Sequence, residues 1–241
     1  MIKTLCYNIY SPRPDDQRAK RVLQTVGDRD PDVFCLQEAT PAWMELFTNF
    51  FTDEYEFCGE GRQEGRDCEY NPVFYKKDRF ELLYTHTFWL SDTPQECSLI
   101  EESKYYRICT FAALKDKTTG EKICAVSAHL DYVSAAADRQ VEILLGLLEK
   151  YGSDKTFVCG DFNCNMYSPA YARMTDSVFV DASRIAKSAT VVPTFTKFGK
   201  TEDTIDFAFV KGFEVESFVV DEVKYDGEYP SDHNPIIFEV R

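Results

Sequence analysis

Six segments of this 241-residue chain carry an Asn, Glu, Asp or His beside an apolar or aromatic run. Asn8 stands in IKTLCYNI, Glu38 closes DVFCLQE, and His129 comes near the end of KICAVSAHL. KTFVC runs straight into GDFNCN, which sets Asp161 and Asn163 two positions apart behind Gly160. Asp206 lies in TIDFAFV, and Asp232 and His233 precede the last apolar run in SDHNPIIFEV. Clustered carboxylates of this kind suit a hard divalent cation. Each segment also has an ordinary reading. GDFN reads as a turn, Asn8 as a partner for nearby backbone groups, and Glu38 as a carboxylate at the start of a helix. His129 reads as a hydrogen-bonded core histidine, and Asp232 with His233 as turn residues ahead of Pro235. Asp206 resists such a reading, because an unpaired carboxylate on a buried strand is costly. Six coincidences together are a poor account of the set.

These groups need elements to hold them. Strand candidates are IKTLCYNI, DVFCLQ, NPVFYKK, RFELLY, YYRICTFAAL, EKICAVSAHL, KTFVCG, TIDFAFV, EVESFVV and PIIFEV, most of them short, β-branched or aromatic, and bounded by turn residues. Helical periodicity runs through Ala19, Val22, Leu23 and Val26, and again through Ala137, Val141, Leu144, Leu145 and Leu148, with Ser134 as its expected N-cap. A third helix is expected from Pro41 to Phe50, Pro41 suiting its first turn. So many strands with few helices imply two packed sheets covered by helices. No repeat or long Pro/Gly/Ser linker divides the chain, so residues 1–241 are expected to form one domain.

Composition narrows the classes further. Hydrophobic residues make up 44% and charged residues 28%, the balance of a soluble globular protein. No run approaches the roughly 20 apolar residues that span a bilayer, and MIKTLCYNIY reads as a strand rather than an export signal. Nine cysteines without a C-x-x-C fit buried free thiols in a reducing cytoplasm better than a disulfide framework or a zinc site. The net charge of −14 disfavours tight binding to extended duplexes. The clusters Arg62/Arg66 and Lys76/Lys77/Arg79 read as solvated loops, while compatible with a short nucleic-acid end. Glu69 reads equally as a hairpin surface residue or as a neighbour of the site.

The ordered series YNI, LQE, AHL, GDFN, TIDFAFV and SDHNPI resembles the endonuclease/exonuclease/phosphatase superfamily, and it spans the chain from Asn8 to His233. FWLSDTP, YYRICTFAAL and HLDYVSAAADRQ look like a small bacterial subgroup of metal-dependent hydrolases. Two departures stand out: Tyr132 occupies a position where a second histidine is common, and Thr204 one where arginine is common. The resemblance implies an α/β (α+β mixed) four-layer sandwich, two facing mixed β-sheets flanked by helices, with the catalytic groups at one edge. It further implies one or two Mg²⁺ or Mn²⁺ ions held by Glu38 with Asn8 and Asp232, acting as Lewis acids on phosphate oxygens. Asp161 would position or deprotonate the attacking water, with His233 the other candidate base. Asn163 would donate to the developing charge. His233, oriented by Asp206, and His129 would face the phosphate. Arg107 and Arg139 are candidates for substrate binding or for surface ion pairs.

The expected activity is therefore metal-dependent hydrolysis of a phosphodiester or phosphomonoester, on a small substrate. A DNA or RNA nuclease is the alternative within the class, and a non-catalytic binding module on the same fold is the alternative outside it. Retention of all eight polar groups from Asn8 to His233 argues against the binding module. Neither a membrane nor a protein partner is indicated.

Overall fold

The computed structural model describes residues 1–12, 14–65 and 68–241. Along the chain come β1 (Ile2–Asn8), α1 (Asp16–Gly27), β2 (Val33–Gln37), α2 (Pro41–Phe50), β3 (Tyr55–Cys58), β4 (Val73–Lys76), β5 (Phe80–Trp89), β6 (Ile108–Asp116) and β7 (Lys122–His129). There follow α3 (Ser134–Tyr151), β8 (Thr156–Asp161), α4 (Pro169–Thr175), β9 (Val180–Asp181), α5 (Ala182–Ile185), β10 (Ser188–Thr190), β11 (Asp206–Lys211), β12 (Val215–Val220) and β13 (Ile236–Val240). The strands form a seven-stranded sheet ordered β10-β12-β13-β1-β2-β4-β3 and a six-stranded sheet ordered β5-β6-β7-β8-β11-β9. Both sheets are mixed: β1–β2 and β7–β8 run parallel, whereas β1–β13 and β8–β11 run antiparallel.

Three apolar layers follow from the alternation of side chains along each strand. Cys6, Cys35, Val73, Ala125, Phe157, Ala208 and Phe238 fill the space between the sheets. On the outer face of the first sheet, Leu5, Tyr7, Phe34 and Leu36 meet Val22 of α1 and Trp43 and Phe47 of α2. On the outer face of the second, Val126, Val158 and Phe209 meet Val141 and Leu144 of α3 and Met174 of α4. This is the four-layer sandwich of the sequence expectation.

Local chemistry explains most helix boundaries. Asp15 caps α1 by accepting from the amide of Arg18, and Pro41 opens α2. Ser134 is not the cap of α3 but its first residue. The capping position is Val133, which has no capping side chain, and its amide instead donates to Asp131 Oδ1 at 3.0 Å. The short elements β3, β9, β10, α4 and α5 were not expected, because two to seven residues carry too little periodicity to register. The nine cysteines are free thiols, and seven of them are buried. Among the described residues, no helix is long and apolar enough to cross a membrane.

Arg79 is not a solvated loop residue. It bridges the two sheets at one end of the sandwich, contacting Asp32 before β2 at 2.6 Å and Asp116 at the end of β6 at 3.1 Å.

Candidate active site

At the other end of the sandwich, strand register sets Asp206, Asp161 and His129 side by side. Asp206 of β11 pairs with Asp161 of β8, and Asp161 pairs with His129 of β7. This packing requires Gly160, since a Cβ there would lie 1.7 Å from the carbonyl oxygen of Ala128. From the facing sheet, β1 ends in the fully buried Asn8, which donates through Nδ2 to Asp161 Oδ2 at 3.0 Å and to Glu38 Oε1 at 3.2 Å. Glu38 follows β2 at a positive φ of 61° and does not start α2. Its other oxygen accepts from the amide of Ser11 at 2.8 Å. Asp232 and His233 lie just before β13. Ser231 ties that segment to β1 through the carbonyl of Asn8 at 2.7 Å, and the amides of Thr196 and Lys197 donate to the carbonyl of Asp232.

The side chains surround one cavity of about 380 Å³, lined by Glu38, Arg107, His129, Asp161, Asn163, Asp232 and His233 among the sequence-predicted residues. Asp206 stands behind this wall, bonded to His233 Nδ1 at 2.8 Å. His233 Nε2 then faces Asp161 Oδ2 at 3.8 Å and Asp232 Oδ1 at 3.9 Å. His129 Nε2 lies 3.5 Å from Asp161 Oδ2. Asn163, at a φ of 48°, turns its backbone amide to Asp161 Oδ1 at 2.8 Å. Its side-chain amide contacts His129 Nε2 at 3.1 Å and the carbonyl of Leu130 at 2.9 Å, so here it holds the imidazole in place.

Electrostatics separates these groups by role. Burial raises the Asp161 carboxyl, the neighbouring Asp206 charge adds to this, and together they outweigh His233 to push it up to about 7. Burial alone would lower His233, yet Asp206, Asp161 and Asp232 overcome it and raise the ring to about 10, so it is an imidazolium at neutral pH. His129 is the opposite case. Burial, then Arg107 and Arg62, hold it well below the ordinary histidine range and keep it neutral. Asp232 is raised by burial, against the pull of His233.

The two predicted arginines part company. Arg107, buried just before β6, lines the cavity with its Nη1 3.0 Å from His129 Nε2. Arg139 does not line it. On the outer face of α3 it pairs with Asp92 at 2.9 Å and Glu142 at 2.7 Å, so the surface ion-pair alternative holds there. Arg62 departs from its reading as a solvated loop residue: it is 8% exposed, lines the cavity and pairs with Glu69 at 2.6 Å. Glu69 also lines the cavity, while Arg66 lies outside the described residues. Sequence reasoning missed Tyr10, Tyr105 and Phe195 in the lining. Only Tyr105 carried a signal, standing two residues before Arg107 and so on the same face of an extended segment.

The donor set fits a hard divalent cation. Ligand atoms of Glu38, His129 and Asp161 lie within 4.8 Å of one another, and the two carboxylates share one Asn8 amide. Paired carboxylates with room for substrate oxygens match the binding habit of Mg²⁺, and an imidazole nitrogen admits Mn²⁺.

Comparison with known proteins identifies the family. The model of the Endonuclease/Exonuclease/phosphatase family matches residues 5–233. A crystal structure of an endonuclease/exonuclease/phosphatase from Bacteroides vulgatus superposes with a TM-score of 0.91 at 31% identity, covering 100% of this chain and 98% of that one. A mannosyl-6-phosphatase of Bacteroides thetaiotaomicron gives a TM-score of 0.89 at 25% identity, covering all of both chains. The CCR4-Not complex 3'-5'-exoribonuclease subunit Ccr4 of Candida albicans is 24% identical over an alignment of 190 residues that covers 65% of this chain and 24% of that protein. The chain thus spans about a quarter of the length of such curated relatives. With the family model matched over nearly the whole chain, the protein belongs to the Endonuclease/Exonuclease/phosphatase family.

Proposed function

We propose that the protein is a Mg²⁺- or Mn²⁺-dependent phosphoesterase acting on a small phosphate ester. The observation that carries this reading is the single cavity in which Asp161, Asn163, His129, Glu38, Asp232 and the Asp206-supported His233 converge. Glu38, braced by Asn8, would hold the cation, with Asp232 beside His233. When bound, the cation would polarise phosphate oxygens and offset charge on the leaving oxygen.

The remaining roles follow from the side chains. Asp161, with a carboxyl poised near neutrality, accepts a proton from water as the water oxygen bonds to phosphorus. The ester P–O bond breaks, the leaving oxygen takes the bonding pair, and a proton returned through solvent completes the alcohol. The His233 imidazolium, held by Asp206, presents positive charge to the phosphate oxygens. Neutral His129 presents a ring fixed by Asn163 and Arg107. Asn8 keeps the carboxylates of Glu38 and Asp161 in register.

A small substrate is favoured by the bounded cavity and by the net charge of −14, which opposes a long polyanion. The sugar-phosphate substrate named for the Bacteroides thetaiotaomicron neighbour supports the same direction. Nuclease action is the second reading, supported by the similarity to an exoribonuclease subunit. A panel of sugar phosphates, inositol phosphates, nucleotides and short oligonucleotides, assayed with Mg²⁺ and with EDTA, tests both. Metal-dependent turnover of small esters, lost in Asp161→Asn, is the expected result. Turnover confined to oligonucleotides would replace this reading with the nuclease, and turnover by Asp161→Asn at the wild-type rate would remove the assigned site.

A further inference from the structure

Arg107 and Arg62 line the cavity beside Glu69 as buried cations whose Nε groups have no hydrogen-bond partner among the described residues. Arg107 is 6% exposed. Its Nη1 contacts the ring nitrogens of His129, its nearest carboxylate is Asp131 at 4.0 Å from Nε, and that Nε has no hydrogen-bond partner among the described residues. Arg62 stands beside it with one ion pair, to Glu69, and its Nε is likewise without a partner among the described residues. Both guanidinium carbons lie over the ring of Tyr105, Arg107 at 5.1 Å and Arg62 at 5.4 Å. Two buried guanidinium groups thus have one close ion pair between them, Arg62 with Glu69, at the edge of a space open to ligand. Burying a charge without a matching partner is costly, so an arrangement kept in this state is completed by an anion from outside.

The carboxylates of the same cavity define what that anion must be. Glu38, Asp161 and Asp232 line it as acceptors, which serve a divalent cation and offer no donor to a phosphate oxygen. A phosphodiester carries one negative charge on two non-bridging oxygens. A phosphomonoester carries a second charge and a further terminal oxygen at neutral pH, and that oxygen needs its own donors. We propose that Arg107, with Arg62 beside it, takes the additional terminal oxygen of a phosphate monoester and so selects dianionic monoesters over diesters. Guanidinium is suited to this task, because its planar fork donates two parallel bonds to phosphate oxygens. Tyr105 and Tyr132, 45% and 55% exposed and edge to face at 6.1 Å, stand at the mouth, where an apolar ring face can cover the esterified group. The proposal rests on the phosphoesterase reading for its turnover arm and stands separately on its binding arm.

The experiment uses two substrates with one leaving group, p-nitrophenyl phosphate and its methyl ester, and the metal-loaded full chain. Wild type should show a kcat/KM at least about 10-fold higher on the monoester, the effect of one charge-assisted contact. Arg107→Gln should lose about 50-fold or more on the monoester and under about 3-fold on the methyl ester. Arg107→Lys should recover part of the loss, and Arg62→Gln should shift the same ratio by less. Equal losses on both substrates would overturn the proposal, because Arg107 would then act only by positioning His129; so would an unchanged ratio or a wild-type preference for the methyl ester.

Calorimetric binding of phenylphosphonate and of methyl(phenyl)phosphinate, a monoanion with two non-bridging oxygens, reads the same selection without turnover, since neither carries a P–O ester bond. Preference for the dianion that Arg107→Gln abolishes supports the proposal even if neither ester is hydrolysed, in which case the phosphoesterase reading alone falls. Hydrolysis of both esters without dianion preference sinks the proposal and leaves the phosphoesterase reading standing.

Discussion

The two ends of the sandwich use the same residue types to opposite effect. At the end around Arg79, each carboxylate is matched. Asp116 Oδ1 accepts from the amides of Thr118 and Thr119 at 2.8 and 3.0 Å, and its Oδ2 accepts from Arg79 Nε and Nη2 at 3.1 Å. Asp32 receives Arg79 at 2.6 Å and the amide of Lys3 at 2.9 Å. At the end around Asp161, carboxylates face one another across a cavity, and among the described residues Asp161 is bonded only by two amide groups and flanked by imidazoles. Burial favours protonation at both ends. The amides and Arg79 overcome it at Asp116 and hold that carboxyl below the usual range, whereas Asp161 is pushed up to about 7. A strand-end carboxylate is structural when its partners outnumber its repulsions, and functional when the protein leaves that balance unfinished.

The largest break in this contrast comes from Asp161→Asn. It should lower kcat by about 10³-fold, the scale of a lost general base, while the metal-free protein melts no lower than wild type, because a buried repulsion is removed. Its pH dependence sharpens the point. The folded-state value of Asp161 lies above the roughly 3.9 of an unfolded aspartate, so the native state binds more protons between pH 4 and 7. Ionising this group therefore costs stability as pH rises through that window. In EDTA, the stability of Asp161→Asn relative to wild type should climb from pH 4 to pH 7, as read by urea denaturation; a flat difference would reject the assignment.

Glu38→Gln should act through the cation. Mg²⁺ at about 100 times its Kd should stabilise wild type by about 2.7 kcal/mol and leave this variant unmoved in a thermal melt. Asp116→Asn should do the reverse of Asp161→Asn, costing about 1–3 kcal/mol of stability with kcat unchanged. Its sign with pH is also reversed. The folded-state value is depressed, so the contribution of Asp116 is complete above about pH 4 and is lost as pH falls through that lower value. Arg139→Ala should do least, changing kcat/KM by under about 2-fold, since exposed pairs contribute about 0–1 kcal/mol; a large loss would place Arg139 at the substrate after all.

Much of the fold was legible because strands advertise themselves by alternation. Those seated in the middle of the sheets, such as KTFVCG and PIIFEV, were visible as apolar runs. The short elements were not, because Val180–Asp181 and Ser188–Thr190 owe their conformation to pairing with β11 and β12 rather than to their own residues. In the candidate site, the polar ends of apolar runs marked Asn8, Glu38, His129, Asp161, Asp206, Asp232 and His233. Arg62 was misjudged, and Arg139 was left between two readings, for one reason. A long cation's role depends on what its flexible stem reaches, and sequence spacing does not report that.

The chain by itself determined which residue types stand at which strand ends, because burial of an apolar run dictates where polar groups can follow it. Only the tertiary structure decided which of those ends meet. Register across β7, β8 and β11, and the contact of Asn8 from the facing sheet, bring together residues as far apart as Asn8 and Asp161. Whether a carboxylate there finds an arginine or another carboxylate is settled by packing between the sheets, and that sets its charge state. Local sequence has no term for a neighbour 153 positions away.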